Sequence, residues 1–218
     1  MANLESRVTL SFTYDTRDSA FLTRKGTRVD FSTYVLGGPL GGTVQIYGFD
    51  LDAAQYFHLP FDTILLLNGE VGTVANWSGG SNDNGIVPIF DRLYLGGAST
   101  LRGFRYRDVG PKDDQGNALG GNTLVRFTIE YTIPVIERVR AAVFYDGGFV
   151  NPGSWSFSPE KVPSTKGRFS GGFNQDIGIG VRLDLPIGPL RLDYGFPIQE
   201  DSFSSKSGQF QFSVGYQF

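Results

Sequence analysis

The sequence contains no cysteine and a single histidine, His58, within 218 residues. Without thiols the chain can form neither disulfides nor thiolate metal sites. The histidine lies in a strand-like run and no nucleophile-elbow pattern accompanies it, so a Ser-His-Asp triad has no support. We therefore expect a protein that is not an enzyme and that binds no metal and no other cofactor.

Long apolar runs and excess positive charge are also missing. No stretch of about 18 apolar residues occurs, which excludes a transmembrane helix. The formal net charge is −3 and the isoelectric point is near 5.2, so we expect no nucleic-acid partner, because such proteins usually carry basic patches. Residues Met1 to Arg7 lack the apolar core of a signal peptide, so an exported protein would be present as a mature or truncated piece.

Glycine and aromatic residues are abundant instead, with 30 Gly, 19 Phe and 10 Tyr. They accompany runs in which apolar and polar residues alternate, and this alternation is typical of strands with one apolar face. The last run places Phe210, Phe212, Val214, Tyr216 and Phe218 on one face. We predict nine strands, over residues 7–14, 27–36, 43–59, 61–76, 125–133, 139–146, 177–185, 190–196 and 209–218.

Two features favour a transmembrane barrel. The face opposite the apolar one carries charges in neighbouring strands, such as Glu130 and Arg182, which would pair in a hydrated lumen. Short proline-rich connections alternate with long polar loops over residues 77–121, 151–174 and 199–208, an asymmetry typical of outer-membrane barrels. Alternation does not tell which face is inside, so a soluble barrel of the lipocalin kind is the alternative.

Four short motifs occur in order along the chain: Tyr14–Asp18, Leu95–Phe104, Ile129–Pro134 and Phe144–Gly148. Together with the terminal Phe218, this ordered set resembles the Omp85 superfamily of bacterial surface antigen barrels over nearly the whole chain. The core of the match is the Arg-Gly-Phe signature of the family's long sixth loop, here at residues 102–104. Leu101 stands where the family more often has valine.

The resemblance implies that the long loop folds back into the barrel and that Arg102 contacts Glu130 and Asp146 on the inner wall. Alternation independently places both acids on the face opposite the apolar one. A guanidinium makes bidentate bonds that lysine does not reproduce, so this contact could fix a long loop. Gly103 would allow a tight turn and Phe104 would pack against the wall. The simpler alternative is that Arg102 lies on a solvated loop and pairs with nothing.

From the alternation and the resemblance together we predict an all-β fold, an antiparallel transmembrane β-barrel of about 8–9 strands with a long loop folded into the lumen. Residues 1–218 would form one Omp85-type domain, a truncated or short barrel without periplasmic domains. An odd number of strands does not close by antiparallel pairing alone. Pairing two chains into a homodimer through open barrel edges would solve this, as would a parallel pair or a first strand outside the wall.

The resemblance also implies a place and a role. The expected location is the bacterial outer membrane, and the expected partners are the lipid bilayer and unfolded outer-membrane protein clients. The chain would assist the insertion and assembly of these clients. Two alternatives are a polypeptide-translocating pore of the two-partner secretion type and a small structural or ligand-binding barrel.

Overall fold

The computed structural model describes residues 6–20, 22–37, 41, 44–76, 87–185 and 188–214. Eleven strands are present in these ranges, and nine of them form one antiparallel sheet in the order β1-β2-β3-β4-β5-β6-β9-β10-β11. The nine are β1 Arg7–Asp15, β2 Gly26–Leu36, β3 Ile46–Leu59, β4 Thr63–Asn76, β5 Thr123–Ile136, β6 Val139–Asn151, β9 Asn174–Leu185, β10 Gly188–Gln199 and β11 Gln209–Val214.

The nine predicted strands are confirmed, with differences at their ends. β4 begins at Thr63 rather than at Phe61, because Pro60–Asp62 forms a single 3-10 turn in which Phe61 has a positive φ of 62°. The sequence did not predict a small second sheet, in which β7 (Lys161–Pro163) pairs with β8 (Phe169–Gly171) within the loop that follows β6. Strands of only three residues are too short to show a period.

Large apolar side chains lie on the outside of the sheet. On β11, Phe210, Phe212 and Val214 are 64%, 57% and 51% exposed, and on β9 Ile179 is 62% exposed. A water-soluble barrel would bury these side chains, whereas lipid covers them in a membrane. The predicted outward apolar face is thus confirmed for the described strands. Tyr216 and Phe218 of the terminal run lie outside the described residues.

The two ends of the sheet differ in their connections. β3 and β4 are joined by the turn Pro60–Asp62, and β5 and β6 by only two residues, whereas long connections at the opposite end follow β4, β6 and β10. We call these the short-turn end and the long-loop end. Within the described part of the chain, no helix has the length and hydropathy needed to cross a membrane.

The buried core is formed by the connection between β4 and β5, of which residues 87–122 are described; we call this segment the lumen loop. Its side chains Leu95, Leu101 and Phe104 cluster with Leu124 of β5 and Val150 of β6. Leu124 and Val150 are register partners, and they point away from the lipid-facing side of the sheet. Burying a large apolar side chain stabilises by about 1.5–3 kcal/mol, so this cluster holds the loop inside the barrel.

Candidate functional site

A compact set of turns in the lumen loop positions the tripeptide Arg102-Gly103-Phe104. An isolated bridge joins Leu95 to Val109, and the backbone N–H of Gly97 donates to the carbonyl of Leu101 at 3.1 Å. Gly96 and Gly97 both have φ near +110°, a conformation that side chains other than glycine rarely adopt. The loop therefore reverses direction just before Arg102 and presents it to the inner wall.

Arg102 is bound by both carboxylates that the resemblance implied. Its Nε and one terminal nitrogen donate to the two oxygens of Asp146 at 2.8 Å each, and the other terminal nitrogen donates to Glu130 Oε2 at 2.5 Å. The Arg102 side chain is only 3% exposed. The Arg102 contact thus has the bidentate, charge-assisted geometry that makes guanidinium–carboxylate pairs strong and directional.

Burial by itself opposes the charged form of Arg102. The hydrogen bonds that Arg102 donates to Asp146 and the negative charges of Glu130 and Asp193 outweigh this burial effect, so the pKa of Arg102 is raised. The guanidinium also lies over the ring of Phe144, with Cζ 3.5 Å from the ring centroid. Arg102 is therefore held on one side by carboxylates and on another by an aromatic face.

Three further charged residues on the inner wall extend this node, although the sequence analysis did not assign them to the site. Arg182 of β9 donates to Glu130 Oε2 at 2.7 Å and to Asp193 Oδ1 at 2.6 Å. Arg191 of β10 lies 3.6 Å from Glu130 and 3.7 Å from Asp193. Alternation placed these side chains on the correct face, but it does not give the lateral pairing of strands that brings them together. We call Arg102, Glu130, Asp146, Arg182, Arg191 and Asp193 the lock.

Two glycines give the loop tip room to approach the wall. Gly103 lies in the turn closed by the N–H of Phe104 on the carbonyl of Leu101, but its φ is not positive. A Cβ on Gly103 would lie 2.5 Å from Cβ of Asp176, and a Cβ on Gly195 would lie 2.6 Å from the Gly103 nitrogen. Glycine is therefore required at residue 103 for close approach to the wall, and the expected turn alone does not explain it.

Phe104 and β11 also hold the tip of the lumen loop in place. The Phe104 side chain is buried in the apolar cluster with Leu101 and with Val150 of the inner wall. From β11, Gln211 Nε2 donates to the backbone carbonyls of Arg102 and Phe104 at 3.3 and 3.1 Å. The loop tip is thus bonded directly to a strand at the end of the sheet.

A second ion-pair node at the long-loop end was not predicted at all. The ammonium of Lys112 is buried and contacts Asp108 at 2.9 Å, Asp201 at 3.2 Å and Ser204 Oγ at 2.8 Å. The backbone N–H of Lys112 donates to Ser170 Oγ at 3.1 Å. The Lys112 contacts join three loops that are far apart in sequence, so no local sequence pattern could have revealed them.

A cavity of about 800 Å³ lies beside the lock, between the loop tip and the inner faces of β2 to β5. Its lining is mainly polar and includes Asp52, Glu70, Arg126, Ser99 and Thr100. The interior therefore has a closed half, filled by the lumen loop, and an open half lined with charges.

Known proteins with similar sequences point to one family. The family model of the Omp85 superfamily domain matches residues 2–218. An outer membrane protein assembly factor BamA from Nitratidesulfovibrio vulgaris is 30% identical over 98% of the chain, and one from Neisseria meningitidis is 26% identical over 82%. The chain spans about a quarter of the length of these relatives, 26% and 24% respectively.

A solved structure shows the same fold. The crystal structure of BamA from Haemophilus ducreyi lacking POTRA domains 1–3 superposes with a TM-score of 0.75, at 22% identity, over 97% of this chain and 42% of that one. The family match over nearly the whole chain and the shared barrel fold lead to one conclusion. The chain belongs to the Omp85 superfamily.

Proposed function

We propose that this chain acts in the outer membrane as an Omp85-type barrel that assists the insertion and assembly of outer-membrane proteins. The observation that carries the proposal is the lock, in which the loop tip is fixed to the inner wall by Arg102. Two relatives with the same domain carry the name of outer membrane protein assembly factor. Residues 1–218 would act as one barrel domain.

The proposed chemistry is an exchange of backbone hydrogen bonds at the ends of the sheet. Among the described strands, β1 pairs with β2 and β11 pairs with β10, so each end strand has one edge without a strand partner. Such an edge presents backbone N–H and C=O groups that can template an incoming strand. A client strand could pair there, or a second copy of the chain could do so as a homodimer.

The lumen loop would keep one of these edges in place. Gln211 lies on β11 and bonds the carbonyls on either side of Gly103, so displacement of the loop would release β11 from the interior. We propose that the lock holds the β11 edge in the orientation that clients use. This role needs no covalent chemistry.

The test is the folding rate of an unfolded client barrel added to proteoliposomes that contain this protein. We expect the protein to accelerate client folding over empty liposomes and Arg102→Ala to lose most of that acceleration. Lys206→Ala is the matched control, because the side chain of Lys206 is 88% exposed and lies away from the lock. Equal client folding rates with and without the protein would refute the proposal.

The pore alternative makes a different prediction in the same liposomes. The polar cavity of about 800 Å³ beside the loop tip is the observation in its favour. If the loop acts as a plug, Arg102→Ala would raise ion conductance without any effect on client folding. A rise in conductance together with normal client folding would therefore support the polypeptide-translocating pore.

A further inference from the structure

Three polar side chains lie on the lipid-facing side of the sheet near the long-loop end. Thr73 on β4 and Thr123 on β5 are register partners, and Asn151 on β6 is the partner of Thr123. Side chains of register partners share a face. Thr123 alternates in phase with the exposed Ile129 and Asn151 with the exposed Val143, so all three polar groups point outward.

These outward polar groups are nevertheless fully buried, because the chain after β6 folds back over them. We call residues 152–158 the outer strap. Asn151 Nδ2 donates to the carbonyls of Ser156 and Ser158 at 2.6 and 2.7 Å, and its Oδ1 accepts the N–H of Glu160 at 3.0 Å. The buried Asn151 amide thus has hydrogen-bond partners on both its nitrogen and its oxygen, and these bonds fix the path of the outer strap.

The strap is bonded to the neighbouring strands as well. Thr123 Oγ1 donates to the carbonyl of Gly153 at 2.8 Å, and Thr73 Oγ1 accepts the N–H of Trp155 at 3.1 Å. Ser154 Oγ donates to the carbonyl of Val74 at 2.7 Å. The strap therefore runs across the outside of β5 and β4.

At the middle of the strap, Trp155 is turned out onto the lipid-facing surface. Its φ is +60°, rare for a tryptophan, and its ring lies 5.4 Å from that of Phe49 on β3. Phe49 continues a row of outward rings with Phe31 and Phe12 on β2 and β1. Trp155 and its neighbour Phe157 are still 49% and 47% exposed.

We propose that the outer strap is a membrane-interface anchor whose partner is the boundary between headgroups and acyl chains in the leaflet on the long-loop side. Tryptophan favours this boundary, because its ring is apolar while its indole N–H seeks a polar neighbour. Aromatic residues flank the apolar band of transmembrane barrels at this level. The strap thus covers the outward polar side chains of the lipid-facing wall with an aromatic surface, which is continuous with the row of outward phenylalanine rings.

The sequence makes a direct test simple, because the chain has only two tryptophans, Trp77 and Trp155. The Trp77→Phe variant leaves Trp155 as the sole tryptophan. It is folded into phosphatidylcholine vesicles whose acyl chains carry bromine near the headgroup, at the middle or near the methyl end. We expect the headgroup-proximal bromines to quench Trp155 fluorescence most strongly, and iodide in the water to quench it weakly.

The matched control moves the only tryptophan to a loop. Tyr106 of the lumen loop is 76% exposed, so a Trp77→Phe, Tyr106→Trp, Trp155→Phe chain should respond to iodide and not to any brominated lipid. If Trp77→Phe does not fold, the difference in emission between the native chain and Trp155→Phe reports the same residue. Releasing the strap with Asn151→Ala or Thr123→Val should abolish the depth profile of Trp155.

Two results would overturn the proposal. Quenching of Trp155 by iodide, with no response to any brominated lipid, would show that the strap faces water. Loss of lipid quenching as the protein-to-lipid ratio rises, together with cross-linking between chains, would show that a second copy covers the strap. Both outcomes are independent of client assembly, so they leave the proposed function untouched.

Discussion

Two arginine nodes on the inner wall use the same chemistry in different surroundings. Arg102 binds carboxylates that are at most 7% exposed, within the half of the barrel that the lumen loop fills. Arg126 on β5 bonds to Glu70 on β4 and contacts Asp52 on β3 at 2.7 Å, where the carboxylates are 20% and 28% exposed to the cavity.

From this difference in burial we expect the loop, and not the wall alone, to decide how much each ion pair stabilises the structure. Removing one partner of a buried pair costs about 3–5 kcal/mol, because the other charge is left uncompensated. An exposed pair typically contributes about 0–1 kcal/mol, because water screens it. The lock should therefore hold the fold together, whereas the Arg126 node should mainly shape the electrostatics of the cavity.

The largest effect is expected for Arg102→Ala. It leaves Glu130 and Asp146 buried with fewer positive partners, so the free energy of unfolding should fall by about 3–5 kcal/mol. Urea unfolding in detergent micelles, followed by heat-modifiable gel migration, measures the change. The free energy of unfolding of Arg102→Lys should lie between those of the native chain and Arg102→Ala, since lysine keeps the charge and loses the planar fork. A loss of less than about 1 kcal/mol for Arg102→Ala would contradict this expectation, because the lock would then stabilise the fold no more than a solvent-exposed ion pair does.

A smaller effect is expected for Lys112→Met, which tests a buried ion pair away from the sheet. Asp201 would lose its cation but would keep the N–H groups of Phe203 and Ser204, at 2.9 and 2.8 Å. We expect a loss of about 1–3 kcal/mol, typical of a lost charged hydrogen bond, and faster protease cleavage of the long loops. Lys206→Met serves as the control. If the protease cleaves the loops of Lys112→Met no faster than those of the native chain, the Lys112 ion pairs do not hold the loops together.

Arg126→Ala should have a weaker effect on stability, although Arg126 contacts more than one acid. We expect a loss of about 1 kcal/mol that shrinks as salt is added, because its partners border the cavity. Urea unfolding at low and high salt measures both the loss of stability and its dependence on salt. A salt-independent loss as large as that of Arg102→Ala would remove the distinction between the two nodes.

The smallest effect is expected from the short-turn end, where Asp62 pairs with Arg140 and His58. The hydrogen bond from Arg140, followed by that from His58, holds the pKa of Asp62 below its ordinary value of 3.8. A depressed pKa stabilises the fold above the unfolded-state value, and this stabilisation is lost as the pH falls through the folded-state value. Asp62→Asn should lower the unfolding midpoint slightly at neutral pH, and the difference from the native chain should vanish in acid.

Alternation predicted the strands and placed Glu130 and Asp146 on the face opposite the apolar one, because a period of two fixes which side chains share a face. It did not reveal that Arg182 and Asp193 join the lock, since their contact depends on which strands are neighbours. The ordered motifs placed Arg102 in a loop that returns to the wall. No local pattern indicated the contact between Lys112 and Asp201, which lie 89 residues apart in two loops.

The strap illustrates a different limit. Thr73, Thr123 and Asn151 are polar residues at outward positions, and in a sequence they look like faults in the alternation. Their meaning becomes clear only when a distant segment, residues 152–158, is seen to satisfy their hydrogen bonds. In this barrel, the break in the pattern at these three residues marks the place where another part of the chain covers the wall.

The most direct test of the lock is a double-mutant cycle on Arg102→Ala and Asp146→Ala, with unfolding free energies measured in detergent micelles. Residues that bond to each other show an interaction energy of about 0.5–3 kcal/mol, and the bidentate geometry places this pair at the upper end. We predict that the double variant is little worse than the worse single variant. Additive losses would contradict the account, because they would mean that the loop tip and the wall do not hold each other.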